Sequence, residues 1–257
     1  MRWDDRQRAM LGAMGLTIWG PARTVDRDVP AQPGARQPPV ARPDAAATAQ
    51  PRASGGAPDA GRRAEIAALD WTALRATVAS CQACRLHEGR TQTVFGVGNE
   101  RAHWMLVGEA PGENEDRLGE PFVGSAGQLL DRMLHALGLT RSAAPPEQQV
   151  YIANTLKCRP PRNRNPQPDE LATCGAFLAR QIELVQPRII LAMGRFAVQT
   201  LLGSDEAIGK LRGRVHRYRD RPVIVTYHPA YLLRNPADKA RSWADLCLAA
   251  SLAAPGG

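Results

Sequence analysis

His103-Trp104-Met105-Leu106-Val107 is a short, largely apolar run that empties into Gly108-Glu109-Ala110-Pro111-Gly112-Glu113-Asn114-Glu115-Asp116. A run of this length, stopped by glycine, reads as a β-strand followed by a loop. The same pattern places strands at Val150–Thr155, Ile189–Met193 and Val223–Tyr227, with helical patterns between them. Ser125–Leu139 sets Leu129, Leu130, Met133, Leu134 and Leu137 on one stripe and is closed by Gly138. Pro168–Val185 is ended by Pro187, and Arg195–Leu202 comes after the third strand. Strands alternating with helices predict an α/β fold with a mainly parallel sheet. Ligands collect at the carboxyl ends of such strands, so the chemistry is sought in the loop leaving each strand.

After the first strand, the acidic loop is joined to a second glycine-bearing loop, Gly119-Glu120-Pro121-Phe122-Val123-Gly124-Ser125-Ala126-Gly127. Its glycines let backbone approach a ligand closely, and the amides at the start of the Ser125 helix offer an anion site. Neither a Walker loop nor a dinucleotide fingerprint is present. The second strand ends in Asn154-Thr155-Leu156-Lys157-Cys158-Arg159, and the last in Tyr227-His228-Pro229-Ala230-Tyr231-Leu232-Leu233-Arg234. Taken singly, an Asn is more often a cap and a His more often a satisfied polar residue. At two strand ends beside one aromatic, they supply the donors and acceptors that a nucleobase edge requires.

Five cysteines in a chain without an export signal argue against a disulfide framework. Cys81 and Cys84 form Cys-x2-Cys, while Cys158 and Cys174 lie far downstream; one knuckle plus a long loop suits either zinc or an iron–sulfur cluster. Cys247 falls in the apolar pattern of a terminal helix and is expected in the core. A net charge of +8 and a sequence pI near 9.8 favour a polyanionic partner. No apolar run approaches a membrane span and charged residues occupy the N-terminus, so a cytoplasmic protein is expected. Residues 1–20 read as a short amphipathic helix built on Met10, Leu11, Met14 and Leu16, suited to docking on a protein partner or on the main domain, the alternative being a frayed helix without a partner. Residues 21–61, dense in Pro, Ala and Arg, read as a disordered linker, and residues 62–250 as the main domain.

Together these residues resemble the family 4 uracil-DNA glycosylases, the iron–sulfur branch of the uracil-DNA glycosylase superfamily. The likeness spans Ser80 to Leu246 and keeps the family's order: cysteine pair, Gly-Glu-Ala-Pro-Gly, Pro-Phe-Val-Gly, Asn before the third cysteine, the fourth cysteine, then His-Pro-Ala. The resemblance implies a three-layer α/β/α domain around a four-stranded, mainly parallel sheet. It implies a [4Fe-4S] cluster on Cys81, Cys84, Cys158 and Cys174, structural rather than redox-active, and a monomer acting on uracil-containing DNA. Phe122 would stack on a flipped uracil, Asn154 would pair with its O4 and N3 edge, and His228 would donate to O2 as the base departs. Where the superfamily's best-known branch has an Asp, this chain has Ala110. The resemblance points to Glu109 and Glu115 for the attacking water, with backbone at Ala110 helping to hold it. Leu232, with Leu233 as second choice, would wedge into the vacated stack, and Arg234, Lys157 and Arg159 would meet phosphates.

Other readings are carried less well. The covalent branch of the superfamily uses a Gln after the first motif's Glu and a His in a basic loop, whereas Ala110 and a His-free Arg159–Pro166 stand here. The His-x-Glu and Pro-Cys-x-x-Cys signature of zinc deaminases is absent. A non-catalytic, polymerase-associated DNA-binding module would suit the N-terminal extension but would not need Phe122, Asn154 and His228, and neither would a thiol-bound electron carrier.

Overall fold

The computed structural model describes residues 57–253. The helix read at residues 1–20 and the linker up to residue 56 lie outside the described residues. Helix α1, Ala57–Ala68, runs through the boundary that composition places at residue 61. Alanine and arginine are strong helix formers, and the helix is fastened at Ile66, which is buried, and at Arg62, whose Nη1 donates to the Thr173 carbonyl at 2.7 Å. Helix α2, Trp71–Ala79, is capped by Asp70, which accepts from the Ala73 amide at 2.8 Å.

The sheet comprises β1 Val97–Gly98, β2 Trp104–Gly108, β3 Val150–Asn154, β4 Ile189–Met193, β5 Val215–Tyr218 and β6 Arg221–Thr226. Their spatial order is β1-β3-β2-β4-β6-β5. The four central strands are parallel, as the sequence predicts, and β1 and β5 add short antiparallel edges. Between the strands lie α3 Glu113–Leu118, α4 Ser125–His135, α5 Pro168–Val185, α6 Arg195–Leu202 and α7 Ile208–Leu211; α8 Pro229–Arg234 and α9 Lys239–Ala253 come after β6.

Strand periodicity builds the three layers. Met105, Val107, Tyr151, Ala153, Ile190, Ala192, Val223 and Val225 face one way, against Leu178 and Ile182 of α5 and Ala197 and Val198 of α6. Trp104, Leu106, Val150, Ile152, Ile189, Leu191 and Ile224 face the other, against Leu130 and Leu134 of α4 and Leu246 and Ala249 of α9. A third cluster, with Leu74, Val78, Leu156 and Phe177, joins α1 and α2 to the domain and includes the knuckle and loop cysteines. Cys247 is exposed, contrary to the sequence reading. The buried face of α9 carries Ser242, Asp245, Leu246, Ala249 and Ala253, and the 100° step from Leu246 turns Cys247 outward.

Candidate active site and cysteine-lined cavity

The ends of β2 and β3 stand side by side, with Gly108 in register with Asn154. The loops that leave them stay zipped, Thr155 N donating to Gly108 O and Leu156 N to Glu109 O, each at 3.1 Å. A Cβ at residue 108 would sit 2.6 Å from Cζ of Phe122 and on top of the Asn154 amide oxygen, so glycine is required for the two side chains to converge. Phe122 adopts φ = 57°, the left-handed region that bulky side chains avoid. Such strain costs on the order of 1–3 kcal/mol and gathers at functional sites. Its ring lies 5.4 Å from the His228 imidazole with 29° between planes. Asn154 is buried, and its Oδ1 is sealed from solvent with no hydrogen-bond partner. A buried acceptor left bare costs about 1–3 kcal/mol.

His228 caps α8, its Nδ1 accepting from the Ala230 amide at 3.2 Å. In the neutral ring the proton therefore sits on Nε2. Burial, reinforced by Arg234 and opposed by Glu115, pushes its pKa down to about 4, so the imidazole is neutral at physiological pH. The two candidate acids differ sharply. Glu115 accepts from the Val123 and Gly124 amides through Oε1, at 3.0 and 3.2 Å, and from the Gly112 amide through Oε2 at 3.1 Å. It fastens the two glycine loops to each other. The Glu109 carboxylate has no hydrogen bond to protein among the described residues, and burial raises its pKa against the opposing charge of Arg195.

One cleft of about 820 Å³ brings together Glu109, Ala110, Glu115, Phe122, Asn154, His228 and Arg234. Sequence reading missed Arg164, Arg195, Tyr227 and Tyr231 on its walls. The two tyrosines stack 4.9 Å apart, and their spacing of four residues across the start of α8 was the available signal. Ser125 is exposed on the first turn of α4, beside Ala126 of the wall, while the Gly124 amide before it is already taken by Glu115. Two expectations need correction. Lys157 cannot meet a phosphate, because it is 1% exposed and its Nζ donates inward to Asn154 O and Gln181 Oε1 at 2.9 and 2.6 Å. Leu232 is fully buried, and Leu233, 42% exposed, is the leucine that α8 presents to solvent. Arg159 is occupied by Asn163 and Glu113, at 2.8 and 3.2 Å.

Cys81, Cys84, Cys158 and Cys174 line a second cavity with Arg62, Arg90 and Lys157. All four are free of disulfides. Donors point at the sulfurs: Arg90 Nη1 lies 3.1 Å from Cys158 Sγ, the Lys157 amide 3.3 Å from Cys174 Sγ and Arg62 Nη2 3.7 Å from Cys81 Sγ. Burial pushes the Cys84 and Cys158 thiols up and Cys174 up to about 12, and takes Lys157 down to about 8. Among the described residues no three His, Cys, Asp or Glu side chains are gathered as a metal-ion site. A single zinc ion needs its sulfurs about 2.3 Å from one point, a tighter gathering than four thiolates placed around a polynuclear cluster.

The uracil DNA glycosylase superfamily model matches residues 95–249. The chain is 45% identical to the type-4 uracil-DNA glycosylase of Archaeoglobus fulgidus over 167 residues, 62% of this chain and 81% of that protein. It is also 45% identical to the type-4 uracil-DNA glycosylases of Sulfurisphaera tokodaii, over 172 residues covering 63% of this chain and 76% of the relative, and Thermotoga maritima, over 166 residues covering 64% and 83%. With the matched segment holding the parallel sheet, the two glycine loops and the Phe122, Asn154 and His228 cleft, the chain belongs to the uracil DNA glycosylase superfamily, as a relative of its type-4 enzymes.

Proposed function

We propose that this DNA glycosylase flips uracil out of DNA into the cleft beneath Phe122, hydrolyses its N-glycosidic bond and leaves an abasic site for base excision repair. The bare Oδ1 of Asn154 carries the reading: it is a buried acceptor at the end of a strand, and the N3–H of uracil is the donor that would satisfy it. The Asn154 Nδ2 then donates to O4. Cytosine offers an acceptor at N3 and a donor at N4, so the same amide rejects it.

Extruding the base costs a few kcal/mol of unstacking, offset by the Phe122 face and the Asn154 edge. As the bond from C1′ to N1 lengthens, electrons pass to the pyrimidine and the sugar becomes cationic. The His228 Nε2–H is the neutral donor that stabilises the charge growing on O2. Water adds to C1′ and loses its proton, for which Glu109 is the freer base, since Glu115 already accepts from three amides. Exposed Leu233 replaces Leu232 as the wedge into the vacated stack, and Arg234 and Ser125 contact the backbone.

The cysteine cavity suits a thiolate-bound [4Fe-4S] cluster. Its four cysteines line one cavity, and Arg62, Arg90 and Lys157 beside them balance the negative charge that four thiolates bring. Bound there, a cluster would tie the Cys81–Cys84 knuckle after α2 to the Cys158 loop and to Cys174 of α5, a structural role rather than electron transfer. Among the described residues no helix is long and apolar enough to cross a membrane. As a DNA-repair enzyme the chain is read as cytoplasmic and monomeric, with the sequence of residues 1–20 suggesting a protein partner.

The test is excision from a labelled single-uracil oligonucleotide, with a thymine control and alkali to cut abasic sites. Uracil-dependent cleavage is expected. No cleavage of single or double strands by protein carrying its brown chromophore would overturn the reading in favour of a binding module.

A further inference from the structure

Where β1 stops, β3 has no strand on that edge. β1 pairs only with Tyr151 and Ile152, in the antiparallel register Gly98 to Tyr151 and Val97 to Ile152. Continuing that register would set Phe95 opposite Asn154. Because Thr155 N points to β2, donating to Gly108 O, the Asn154 carbonyl points to the opposite side, toward the missing rung. Two side chains fill that gap. Lys157 Nζ donates to Asn154 O at 2.9 Å and to Gln181 Oε1 at 2.6 Å, and Gln181 Nε2 donates to Phe95 O at 2.9 Å and to the Tyr151 hydroxyl at 3.1 Å. Lys157 is itself immobilised, its amide donating to Cys174 Sγ at 3.3 Å and its carbonyl accepting from Val94 N at 2.8 Å.

Resting on the reading of Asn154 as the uracil-edge group, we propose that Lys157 is a positioning residue. It holds the main-chain carbonyl of Asn154, and so fixes the direction in which the amide enters the cleft, with its own backbone braced against the cysteine cavity. A buried ammonium is costly to keep, and a fully apolar side chain would serve packing alone. Lys157 does not line the uracil cleft, so it is no nucleophile and touches no reacting atom. It stands as a post between the two cavities, and rotation of the Asn154 peptide is what it prevents.

The test separates reading of the base from holding of DNA. Purified wild type, Lys157→Met, Gln181→Leu and Tyr151→Phe are compared for affinity for free uracil, affinity for an oligonucleotide with an abasic site, and melting temperature. Tyr151→Phe removes the far end of the network and leaves the Lys157 contact in place. A structural role alone would lower the melting temperature of all three variants and leave the two affinities in their wild-type ratio. The positioning role predicts that Lys157→Met weakens free uracil binding roughly tenfold with abasic-DNA affinity unchanged, and that Tyr151→Phe does neither. Uracil affinity unchanged in a folded Lys157→Met overturns it. Should Lys157→Met fail to melt cooperatively, Gln181→Leu decides: weaker uracil binding than Tyr151→Phe supports the proposal, and equal binding overturns it. Wild type that cuts no uracil-containing strand would instead sink the glycosylase reading, a result that these comparisons do not imitate.

Discussion

The two cavities of this domain handle polar atoms in opposite ways. In the cleft at the strand ends, Asn154 Oδ1 is buried bare and the Glu109 carboxylate has no protein donor among the described residues. In the cysteine cavity, the sulfurs face amides or guanidiniums, and Arg62, Arg90 and Lys157 line the same space. A site meant to be filled and emptied in each turnover leaves its reading atoms unpaired, since that penalty is repaid only by the right visitor. A site meant for a resident group is charge-balanced by fixed side chains. Within the cleft, the same contrast separates Glu109 from Glu115, one open and one committed to backbone.

The sharpest break of that contrast is Cys158→Ala, expected to abolish the brown chromophore and lower the melting temperature steeply; retention of both would remove the resident-group reading. Next, His228→Ala should slow single-turnover excision by about 10²–10³-fold, the scale for losing one preorganised donor, with binding to uracil-containing DNA retained. Loss of binding without loss of rate would contradict its role. Asn154→Asp puts a charge where a neutral amide reads the base, so uracil excision should fall by at least tenfold, and an unchanged rate would sink the visitor reading of the bare oxygen. Glu109 must be ionised to act as base, and burial raises its pKa, so excision should fall as pH drops through a value above the ordinary carboxylate range. His228, neutral above about 4, adds no limb near 6.5. Glu109→Gln should erase the acidic limb, and its persistence would return the water to another group. Smallest is Leu233→Ala, expected to slow excision a few-fold in duplex and less in single strands.

The order of strands and helices was legible because four apolar runs and three stripes declare themselves. The edges were not. β1 is two residues long, too short for any period, and β5 alternates exposed and half-buried positions without a buried apolar residue. Phe122, Asn154 and His228 could be found because each lies at or beyond the carboxyl end of a strand, where an α/β sheet concentrates its chemistry. Lys157 was misread because a lysine beside Arg159 looks like a phosphate contact, whereas its fate is decided by a missing rung in the sheet, a fact of pairing that no local pattern carries. Leu232 and Leu233 look equivalent in sequence, and only the docking of α8 chooses between them. Likewise Glu109 and Glu115 differ only once the two glycine loops are folded together.

The chain order of the two cavities sets a sequence of events on the ribosome. The last of the four cysteines, Cys174, precedes His228 by about fifty residues. At about 5–20 residues per second this is a delay of roughly 3–10 s. Every residue lining the cysteine cavity lies at or before Phe177 in the chain, whereas the cleft waits for Tyr227, His228 and α8. A nascent chain therefore carries all four cysteines before it carries His228, so on the proposed reading the resident group can be seated before the chain is able to cut.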